Sequence, residues 1–232
     1  MTENKLLLPQ IEILYTQKLP SRQYLFVTGG RAPSVAWLHS AAKQRIIWCI
    51  DHGIDICKKA NLLPEQLIGD GDSAQKSSWQ WAMQAHVPIQ QYSPKKDLTD
   101  TQLALEIAKR MTPPPFILLT GGFGKRLDHT FSTFFSFAAS GINGCMSDQH
   151  ESIFFVTPDN PLQAFPKKKP MAVSLLPVST QCKGVSIDGM YWPLRESILK
   201  QQYPYAISNE LTADAFKVSV RQGILALYLY WK

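Results

Sequence analysis

Cysteine is scarce in this sequence, and it contains no long apolar run. The four cysteines, at positions 49, 57, 145 and 182, form no C-x-x-C pair and lack the dense spacing of a small secreted protein held by disulfides, so we expect reduced thiols. No apolar stretch approaches the ~18 residues needed to span a bilayer, and the run Leu6 to Leu8 is too short for the core of a secretion signal. We therefore expect a cytoplasmic protein with no membrane partner.

Charge is also sparse, and glycine and proline are not enriched. Only 18% of the 232 residues are charged, whereas 45% are hydrophobic, which excludes a disordered chain and allows a sizeable core. The 13 glycines and 16 prolines exclude a collagen-like or low-complexity chain. The net charge of +6 favours an anionic partner. Because lysine and arginine are spread along the chain, and are not gathered with aromatic residues on one element, we expect no nucleic-acid partner.

The order of the predicted elements divides the chain in two. In the first two thirds, short apolar runs such as 24–28 and 116–120 alternate with stretches of helical spacing, which predicts an α/β fold with a parallel sheet. From Glu151 onward, short strand-like runs separated by turn residues predict an all-β region. We therefore predict an α/β domain at 1–155 and an all-β domain at 156–232.

Acidic residues and glycines collect where the predicted parallel strands end. Asp51 follows one strand, Asp70 and Asp72 follow another, and Gly121 and Gly122 follow a third. Ligands of open parallel sheets bind at this edge, because the loops after the strands converge there. The sequence thus predicts a site at the carboxyl ends of the strands.

Asp70 and Asp72 are two residues apart, so in a locally extended segment both carboxylates project to the same side. Such a pair can hold a hard cation such as Mg²⁺, which takes carboxylate oxygens and leaves its other positions to water and phosphate. The same string also fits a surface turn capped by aspartates, and D-x-D strings occur in aspartyl-phosphate hydrolases and in metal-dependent glycosyltransferases. These alternatives stay open at this point.

A second charged cluster opens the most regular predicted helix. Thr99, followed three residues later by Gln102, forms a capping-box pattern, and Lys96, Asp97 and Asp100 stand beside it. Capping alone explains Thr99. Asp100 gains a further role only if it faces Asp70 and Asp72.

The third cluster runs from Thr120 to His129 and combines glycines with two cations. The glycines allow backbone amides to approach a ligand, while Lys125 and Arg126 suit phosphate oxygens. This is not a Walker A loop, because Leu119 stands where glycine is needed and Arg126 where serine or threonine is needed. Asp128 and His129 follow at the predicted start of the next helix.

Taken in order, three segments resemble the catalytic-domain motifs of the thiamine pyrophosphokinases: IGDGDS at 68–73, KKDLTDTQLAL at 95–105 and GGFGKRLDH at 121–129. Segments of the all-β region, GVSIDGMYWPL at 184–194 and ISNE at 207–210, resemble the thiamine-binding domain of the same family. The resemblance implies a homodimer with a C-terminal β-sandwich. It also implies transfer of the pyrophosphoryl group of ATP to the hydroxyl of thiamine, giving thiamine diphosphate and AMP.

The resemblance also implies roles for single residues. The expected Mg²⁺ ligands are Asp70, Asp72 and Asp100, and Arg126 and Asp128 match the R-x-D that follows the family's glycines. Ser208 and Asn209 match the S-N that lines the family's thiamine pocket across the dimer interface. The residues expected near ATP, in addition to Arg126, are Asp51, Gly53, Asp97, Thr99, Gly121, Gly122 and Lys125.

Three positions depart from the family pattern. The D-G-G loop reads Asp51-His52-Gly53, Gly71 stands between the two metal aspartates where a bulky residue is common, and Lys125 replaces the last glycine before Arg126. The tryptophan that some members place in the last strands to contact thiamine has no match here, so the aromatic contact is unassigned. A protein that binds thiamine diphosphate or a nucleotide without catalysis is therefore a third hypothesis, beside the phosphohydrolase or glycosyltransferase.

Overall fold

A computed structural model describes residues 4–93 and 95–232. Its helices are α1 (Val35–Ala42), α2 (Gly53–Lys59), α3 (Lys76–Gln84), α4 (Asp100–Lys109) and α5 (Leu127–Ser140). Its first eight strands are β1 (Lys5–Leu7), β2 (Ile11–Tyr15), β3 (Gln23–Val27), β4 (Ile46–Ile50), β5 (Gln66–Gly69), β6 (Ile89–Gln91), β7 (Phe116–Thr120) and β8 (Gly144–Ser147). The later strands are β9 (Glu151–Val156), β10 (Leu162–Pro166), β11 (Ala172–Pro177), β12 (Gln181–Ile187), β13 (Leu194–Lys200), β14 (Phe216–Ser219) and β15 (Leu225–Tyr230).

The chain forms two compact units. The first, here called the α/β unit, comprises residues 20–148, and the second, here called the β unit, comprises the first 19 residues together with 149–232. None of the helices in the described ranges is long and apolar enough to cross a membrane. All four cysteines are free, as their spacing predicted, and all four are buried.

The α/β unit contains parallel strands in the order β8-β7-β3-β4-β5-β6. Its central strand residues are apolar and buried, because helices cover a parallel sheet on both faces. The register pairs Val27 with both Cys49 and Thr120, so the carboxyl ends of β3, β4 and β7 stand side by side. The loops after these strands, which carry Gly29, Asp51 and Gly121, therefore begin at one edge of the sheet.

Helix α4 begins as the capping box predicts. Thr99 Oγ1 accepts a hydrogen bond of 3.2 Å from the Gln102 backbone N–H, and Gln102 Oε1 accepts one of 2.9 Å from the Thr99 backbone N–H. The Gln102 side chain also donates to Ser136 Oγ of α5 at 3.0 Å. The start of α4, and with it Asp100, is thus fixed by hydrogen bonds on both sides.

The β unit is built from antiparallel pairs in two sheets. One sheet has the strand order β1-β2-β10-β14-β12-β13, and the other strands of the unit pair in the order β11-β15-β9. Residues of β2 alternate between buried and partly exposed, the pattern of a strand with one face on a core. The predicted fold class, a parallel-sheet α/β domain with an all-β sandwich domain, is confirmed.

The division into units differs from the predicted boundary after residue 155. Strand β2 pairs along its whole length with β10, and β9 pairs with β15, so both strands belong to the β unit. These pairings join residues far apart in the sequence, which local patterns do not reveal. The alternation in 11–15 was the signal in the sequence that the N-terminal segment is a half-buried strand.

Candidate active site

A cleft of about 730 Å³ opens at the carboxyl ends of the parallel strands of the α/β unit. Nine of the predicted site residues line it: Asp51, Asp72, Asp97, Thr99, Asp100, Gly121, Gly122, Lys125 and Arg126. They come from the loops after β4, β5 and β7 and from the start of α4, as the strand-end argument predicts.

Three half-buried carboxylates form a cluster at this cleft. One oxygen each of Asp51, Asp70 and Asp100 lies within 4.8 Å of the other two. Within the described part of the chain, the buried Oδ1 atoms of Asp51 and Asp100 have no hydrogen-bond partner. Because burying an unsatisfied carboxylate oxygen is unfavourable, the cluster has the chemistry of a cation site.

Lys96 lies between two members of this cluster. Its Nζ is 3.2 Å from Asp70 Oδ2 and 3.1 Å from Asp100 Oδ1. The contact with Asp100 is an ion pair, but its geometry is not that of a hydrogen bond. The sequence placed Lys96 in a charged cluster but assigned it no role. The only signal was its proximity in the sequence, since Lys96 stands four residues before Asp100 in the segment that leads into α4.

The pKa values of these groups follow from burial and from Lys96. Burial raises the pKa of the Asp100 carboxyl, and the ion pair with Lys96 opposes this shift only in part. Burial also acts to raise the pKa of Asp70, but hydrogen bonds from Asp72 and Lys96 outweigh it, so the pKa of Asp70 is lowered. For Lys96, burial acts to lower the pKa, and its contacts with Asp100 and Asp70 outweigh that effect and raise it.

Asp72 lies beside the cluster rather than in it. The chain turns at Gly71, whose φ is +78°, and the Asp72 backbone N–H donates to Asp70 Oδ1 at 3.1 Å. This is an Asx turn, not the extended segment in which both carboxylates would project to one side. Asp72 is exposed, and its carboxyl has a raised pKa, chiefly because it interacts with the Asp70 carboxyl.

The Asp51 loop is held by close backbone contacts. Asp51 has a φ of +47° and donates from its backbone N–H to Ile68 O at 2.7 Å, while its Oδ2 accepts a hydrogen bond from Ser73 Oγ. A Cβ on Gly53 would lie 1.9 Å from Val27 O, so this position excludes any side chain. Gly53 is thus needed for packing and does not line the cleft.

His52 occupies the departure from the family's D-G-G loop. Its Nδ1 lies 2.9 Å from Ser73 O and 3.4 Å from Asp55 Oδ2, and the side chain lines the cleft. The ring therefore connects the Asp51 loop to the segment that carries Asp72. The sequence showed that a side chain stands here, but it did not indicate this contact.

The glycine loop after β7 is in backbone contact with the loop after β3. A Cβ on Gly121, whose φ is +77°, would lie 2.1 Å from Thr28 O, and Gly30 N–H donates to Gly121 O at 2.7 Å. Lys125 Nζ donates to Gly29 O at 3.1 Å, so its charge lies at the loop after β3. The glycines bring the two loops together and leave a cation at the cleft.

Arg126 precedes α5 and faces Asp128. Its Nε and Nη2 donate to the two carboxylate oxygens of Asp128 at 3.1 and 2.5 Å, and both side chains are exposed. The pair raises the pKa of Arg126 and lowers the pKa of Asp128. Arg126 thus presents a two-pronged donor to a carboxylate, the geometry with which arginine also binds phosphate.

Asp97 and Thr99 have different surroundings at the same cleft. Asp97 is exposed on the cleft wall, whereas the Thr99 hydroxyl is used by the capping box of α4. The structure therefore fits capping as the first role of Thr99.

A second pocket, of about 420 Å³, lies in the β unit. It is lined mainly by apolar residues, with Trp192, Tyr205 and Asn209 among them. The exposed Ser208 next to it has a φ of +55°, and its backbone N–H donates to Ser174 Oγ at 3.0 Å. The two residues predicted from the S-N pair therefore lie at or beside one pocket of the β unit. The carboxylate cluster belongs to the α/β unit.

Comparison with known families gives two matches. Residues 38–144 match the model of the thiamin pyrophosphokinase catalytic domain, and residues 164–225 match the model of the thiamin pyrophosphokinase vitamin B1 binding domain. The first range contains the cleft's carboxylate cluster and glycine loop, and the second contains the apolar pocket. Together the two ranges cover more than two thirds of the chain.

Individual relatives agree with these matches. The chain is 25% identical over 210 residues to a thiamine pyrophosphokinase of Bacillus subtilis (strain 168), covering 87% of this chain and 95% of the relative. A crystal structure of thiamine pyrophosphokinase from Bacillus subtilis has a TM-score of 0.79 at 22% identity, covering 91% of this chain and 100% of that one.

The structure of yeast thiamin pyrophosphokinase has a TM-score of 0.71 at 15% identity, covering 91% and 87% of the two chains. At such identities the structures support the fold, and the two domain matches carry the assignment. The chain belongs to the thiamin pyrophosphokinase family.

Proposed function

We propose that this protein transfers the pyrophosphoryl group of ATP to the hydroxyl of thiamine, giving thiamine diphosphate and AMP. The observation that carries the proposal is that one chain holds both family domains, each with a cavity of the matching chemistry. The cleft in the catalytic range is lined by carboxylates and cations, and the pocket in the vitamin B1 binding range is apolar.

The carboxylate cluster fits Mg²⁺. Its donors are oxygens, which Mg²⁺ prefers. Among the described residues, Asp51 Oδ1 is buried without a hydrogen-bond partner, and Asp100 Oδ1 is buried and contacts only Lys96. We propose that Asp51, Asp70 and Asp100 hold the ion, with Asp72 completing the set from the solvent side of the cleft. A bound Mg²⁺ would neutralise charge on the phosphate oxygens of ATP.

The cations of the glycine loop after β7 suit the phosphates of ATP. Lys125 supplies a point charge, and Arg126 supplies two parallel donors that Asp128 keeps oriented until a phosphate replaces it. Gly121 and Gly122 allow the backbone to come close to these phosphates. Asp97, Thr99 and the Asp51 loop with Gly53 form the remaining walls and supports of the proposed nucleotide site.

In the proposed reaction, the hydroxyl oxygen of thiamine attacks the β-phosphorus of ATP. The bond between that phosphorus and the oxygen bridging to the α-phosphate breaks, AMP leaves, and the proton of the hydroxyl is released to water. The residues act mainly by positioning the reactants and by compensating charge. Although the pKa values of Asp72 and Asp100 are raised, a carboxylate is a weak base at neutral pH, so we place positioning above proton abstraction.

We further propose that thiamine binds in the β unit at Ser208 and Asn209, and that the active form is a homodimer, as the resemblance implies. The four free cysteines and the use of ATP suit the cytoplasm, where we place the reaction. The two domain matches do not favour a phosphohydrolase, a glycosyltransferase or a binding protein without catalysis.

The test is to incubate the purified protein with ATP, Mg²⁺ and thiamine and to separate the products by chromatography. We expect thiamine diphosphate and AMP in equal amounts, and neither product when thiamine or Mg²⁺ is left out. Formation of ADP or free phosphate instead would contradict the proposal. Tight thiamine binding without AMP would favour the non-catalytic alternative.

A further inference from the structure

His52 is a side chain on the wall of the cleft at a position where the family pattern has glycine. Its φ of −56° lies in the helical region, where side chains are freely allowed, so the backbone does not require glycine here. A Cβ on Gly29 would lie 2.7 Å from the Cβ of His52, so the loop after β3 lies directly against this side chain. The imidazole is therefore confined on the side of that loop.

The Nδ1 atom of His52 faces two oxygen acceptors. Ser73 O lies 2.9 Å away, and Asp55 Oδ2 lies 3.4 Å away. Because a carbonyl oxygen can only accept, Nδ1 carries the proton of the neutral ring and donates it to Ser73 O. The other ring nitrogen, Nε2, takes no part in these two contacts. The link to Ser73 thus depends on one defined atom of the side chain.

Two neighbours of His52 bind the same short segment. The Oδ2 atom of Asp51 accepts a hydrogen bond from Ser73 Oγ. Both carboxylate oxygens of Asp55 accept from the Gln75 backbone N–H, at 3.2 and 3.3 Å. The loop after β4 and the first turn of α2 therefore hold the segment after β5 through three side chains.

The segment held in this way follows the turn of the carboxylate cluster. The turn at Gly71 joins Asp70 to Asp72, and Ser73 comes directly after it. Asp72 and Ser73 are exposed, so packing restrains this end of the turn little, and hydrogen bonds must hold it. A donor to Ser73 O therefore acts on the position of the preceding carboxylates.

We propose that His52 is a positioning residue for the carboxylate cluster. Its Nδ1 donor holds Ser73 and so fixes the turn at Asp70 relative to Asp51. This assignment rests on the proposed function, since it takes the cluster as the metal site of that reaction. It gives the departure from the D-G-G pattern a role that glycine, without a side chain, cannot fill. Residues that orient metal ligands in this way change metal affinity by roughly 10- to 100-fold when they are replaced.

The test uses two amide side chains that replace the ring nitrogens one at a time. The nitrogen of asparagine lies close to the position of Nδ1 in histidine, whereas the nitrogen of glutamine lies close to that of Nε2. His52→Asn therefore keeps the donor to Ser73 O. His52→Gln and His52→Ala lose it.

Metal binding is measured without turnover, with Mn²⁺ as the probe because it takes the same oxygen ligands as Mg²⁺. Free Mn²⁺ is counted by electron paramagnetic resonance at pH 7, and Mg²⁺ is then added to displace the bound ion. We expect His52→Ala and His52→Gln to raise the Kd for Mn²⁺ about tenfold, and His52→Asn to stay within about threefold of the wild type.

Hydrogen–deuterium exchange gives a second readout, in the absence of metal. The backbone amides of residues 72–75 are expected to exchange faster in His52→Ala and His52→Gln than in the wild type and in His52→Asn. Exchange in the central strand β7 should not change. A change confined to 72–75 distinguishes lost positioning from a general loss of stability, which urea denaturation measures for each variant.

Two matched controls isolate the contact with Ser73. Lys58→Met removes another hydrogen bond from α2, of 3.0 Å to Ser77 O, which lies farther along the chain from the turn. His39→Ala removes an exposed histidine of α1 in the same unit. Both variants are expected to keep the wild-type Kd for Mn²⁺.

The order of the variants decides the outcome. An unchanged Kd for Mn²⁺ in His52→Ala, or a wild type that binds no Mn²⁺ displaceable by Mg²⁺, would overturn the assignment. Retained affinity in His52→Gln with lost affinity in His52→Asn would mean that His52 acts through Nε2 and not by holding Ser73. Equal losses in all three variants would also contradict a role for the Nδ1 donor.

Neither readout needs turnover, so this inference and the proposed function can fail separately. A protein that forms no AMP, yet loses Mn²⁺ affinity in His52→Gln and retains it in His52→Asn, would keep the assignment of His52 while the proposed reaction fails. A protein that forms AMP, with the Kd for Mn²⁺ unchanged in all three variants, would show the reverse.

Discussion

The cleft of the α/β unit and the pocket of the β unit are lined by opposite kinds of groups. The cleft is lined by carboxylates and by the cations Lys125 and Arg126, whereas the pocket is lined by apolar side chains and aromatic rings. A polyphosphate with its cation needs many charges in fixed positions. A flat organic ring needs apolar contact and little charge, so the two cavities divide recognition of the two proposed substrates.

The walls of the two cavities are also held in place by different kinds of contact. At the cleft, backbones meet directly: a Cβ on Gly30 would lie 2.2 Å from Gly121 O, and one on Gly53 would lie 1.9 Å from Val27 O. At the pocket, the side-chain amide of Asn209 holds the Trp192 segment instead. Added atoms should therefore damage the cleft, whereas removal of one polar side chain should damage the pocket.

The largest effect is expected when a carboxylate of the cluster is neutralised. Asp100→Asn keeps the shape of the side chain but removes one of the charges proposed to hold Mg²⁺. We expect the rate of AMP formation to fall by about 1000-fold, the size of effect found when one preorganised electrostatic contact is lost from an active site. Thiamine binding in the β unit, measured by fluorescence quenching, should not change.

Asp214→Asn is the matched control, because Asp214 is an exposed carboxylate of the β unit. It should retain wild-type turnover. The exposed Asp72 offers a graded comparison, and Asp72→Asn should reduce turnover less than Asp100→Asn. If Asp100→Asn instead weakened thiamine binding and left turnover intact, the division of labour between the two cavities would be wrong.

The next effect concerns the backbone contact at Gly53. Gly53→Ala places a methyl group against Val27 O, and neither main-chain segment can move away without disturbing the parallel sheet. We expect the free energy of unfolding, measured by urea denaturation, to fall by about 3 kcal/mol.

Gly141→Ala is the control for this variant. Gly141 ends α5 with a φ of +70°, and nothing lies within 4 Å of a Cβ built there. The cost of that substitution should be only about 1 kcal/mol, from the left-handed backbone conformation. Gly53 is not in a left-handed conformation, so a loss at Gly53 no larger than that at Gly141 would mean that the contact with Val27 O costs little.

Much of the fold of the α/β unit could be predicted because its signals are local. The apolar runs at β3, β4 and β7, the capping box at Thr99 and the glycines after the strands each depend on neighbouring residues. The pairing of β2 with β10 depends instead on contacts between distant segments. No local pattern states which strand is the partner, so the first 19 residues were assigned to the other domain.

The location of the cleft at the strand ends could be predicted, but the positions of individual carboxylate oxygens could not. Asp51 and Asp70 follow parallel strands whose carboxyl ends meet at one edge of the sheet, and there they cluster with Asp100. The position of Asp72 depends on the turn at Gly71, because a positive φ changes the direction of the next side chain. The contact between Asn209 and Trp192 spans 17 residues, and neither residue type predicts the other.

The smallest effect separates the charged cleft from the uncharged pocket by its response to pH and salt. Arg126 and Asp128 are both exposed, so Asp128→Asn should lower Tm only slightly at pH 7.

The pair with Arg126 lowers the pKa of Asp128 in the folded protein. The stability that the pair contributes is therefore present above the pKa of the unfolded chain, about 4, and is lost as the pH falls through the lower pKa of the folded protein. The Tm difference between wild type and Asp128→Asn should therefore vanish at low pH, and also in concentrated salt, which screens exposed charges. Thiamine binding in the β unit should respond far less to salt, because the residues that line the pocket in the described structure are uncharged. A Tm difference for Asp128→Asn that persists in concentrated salt would show that the two cavities do not differ in this way.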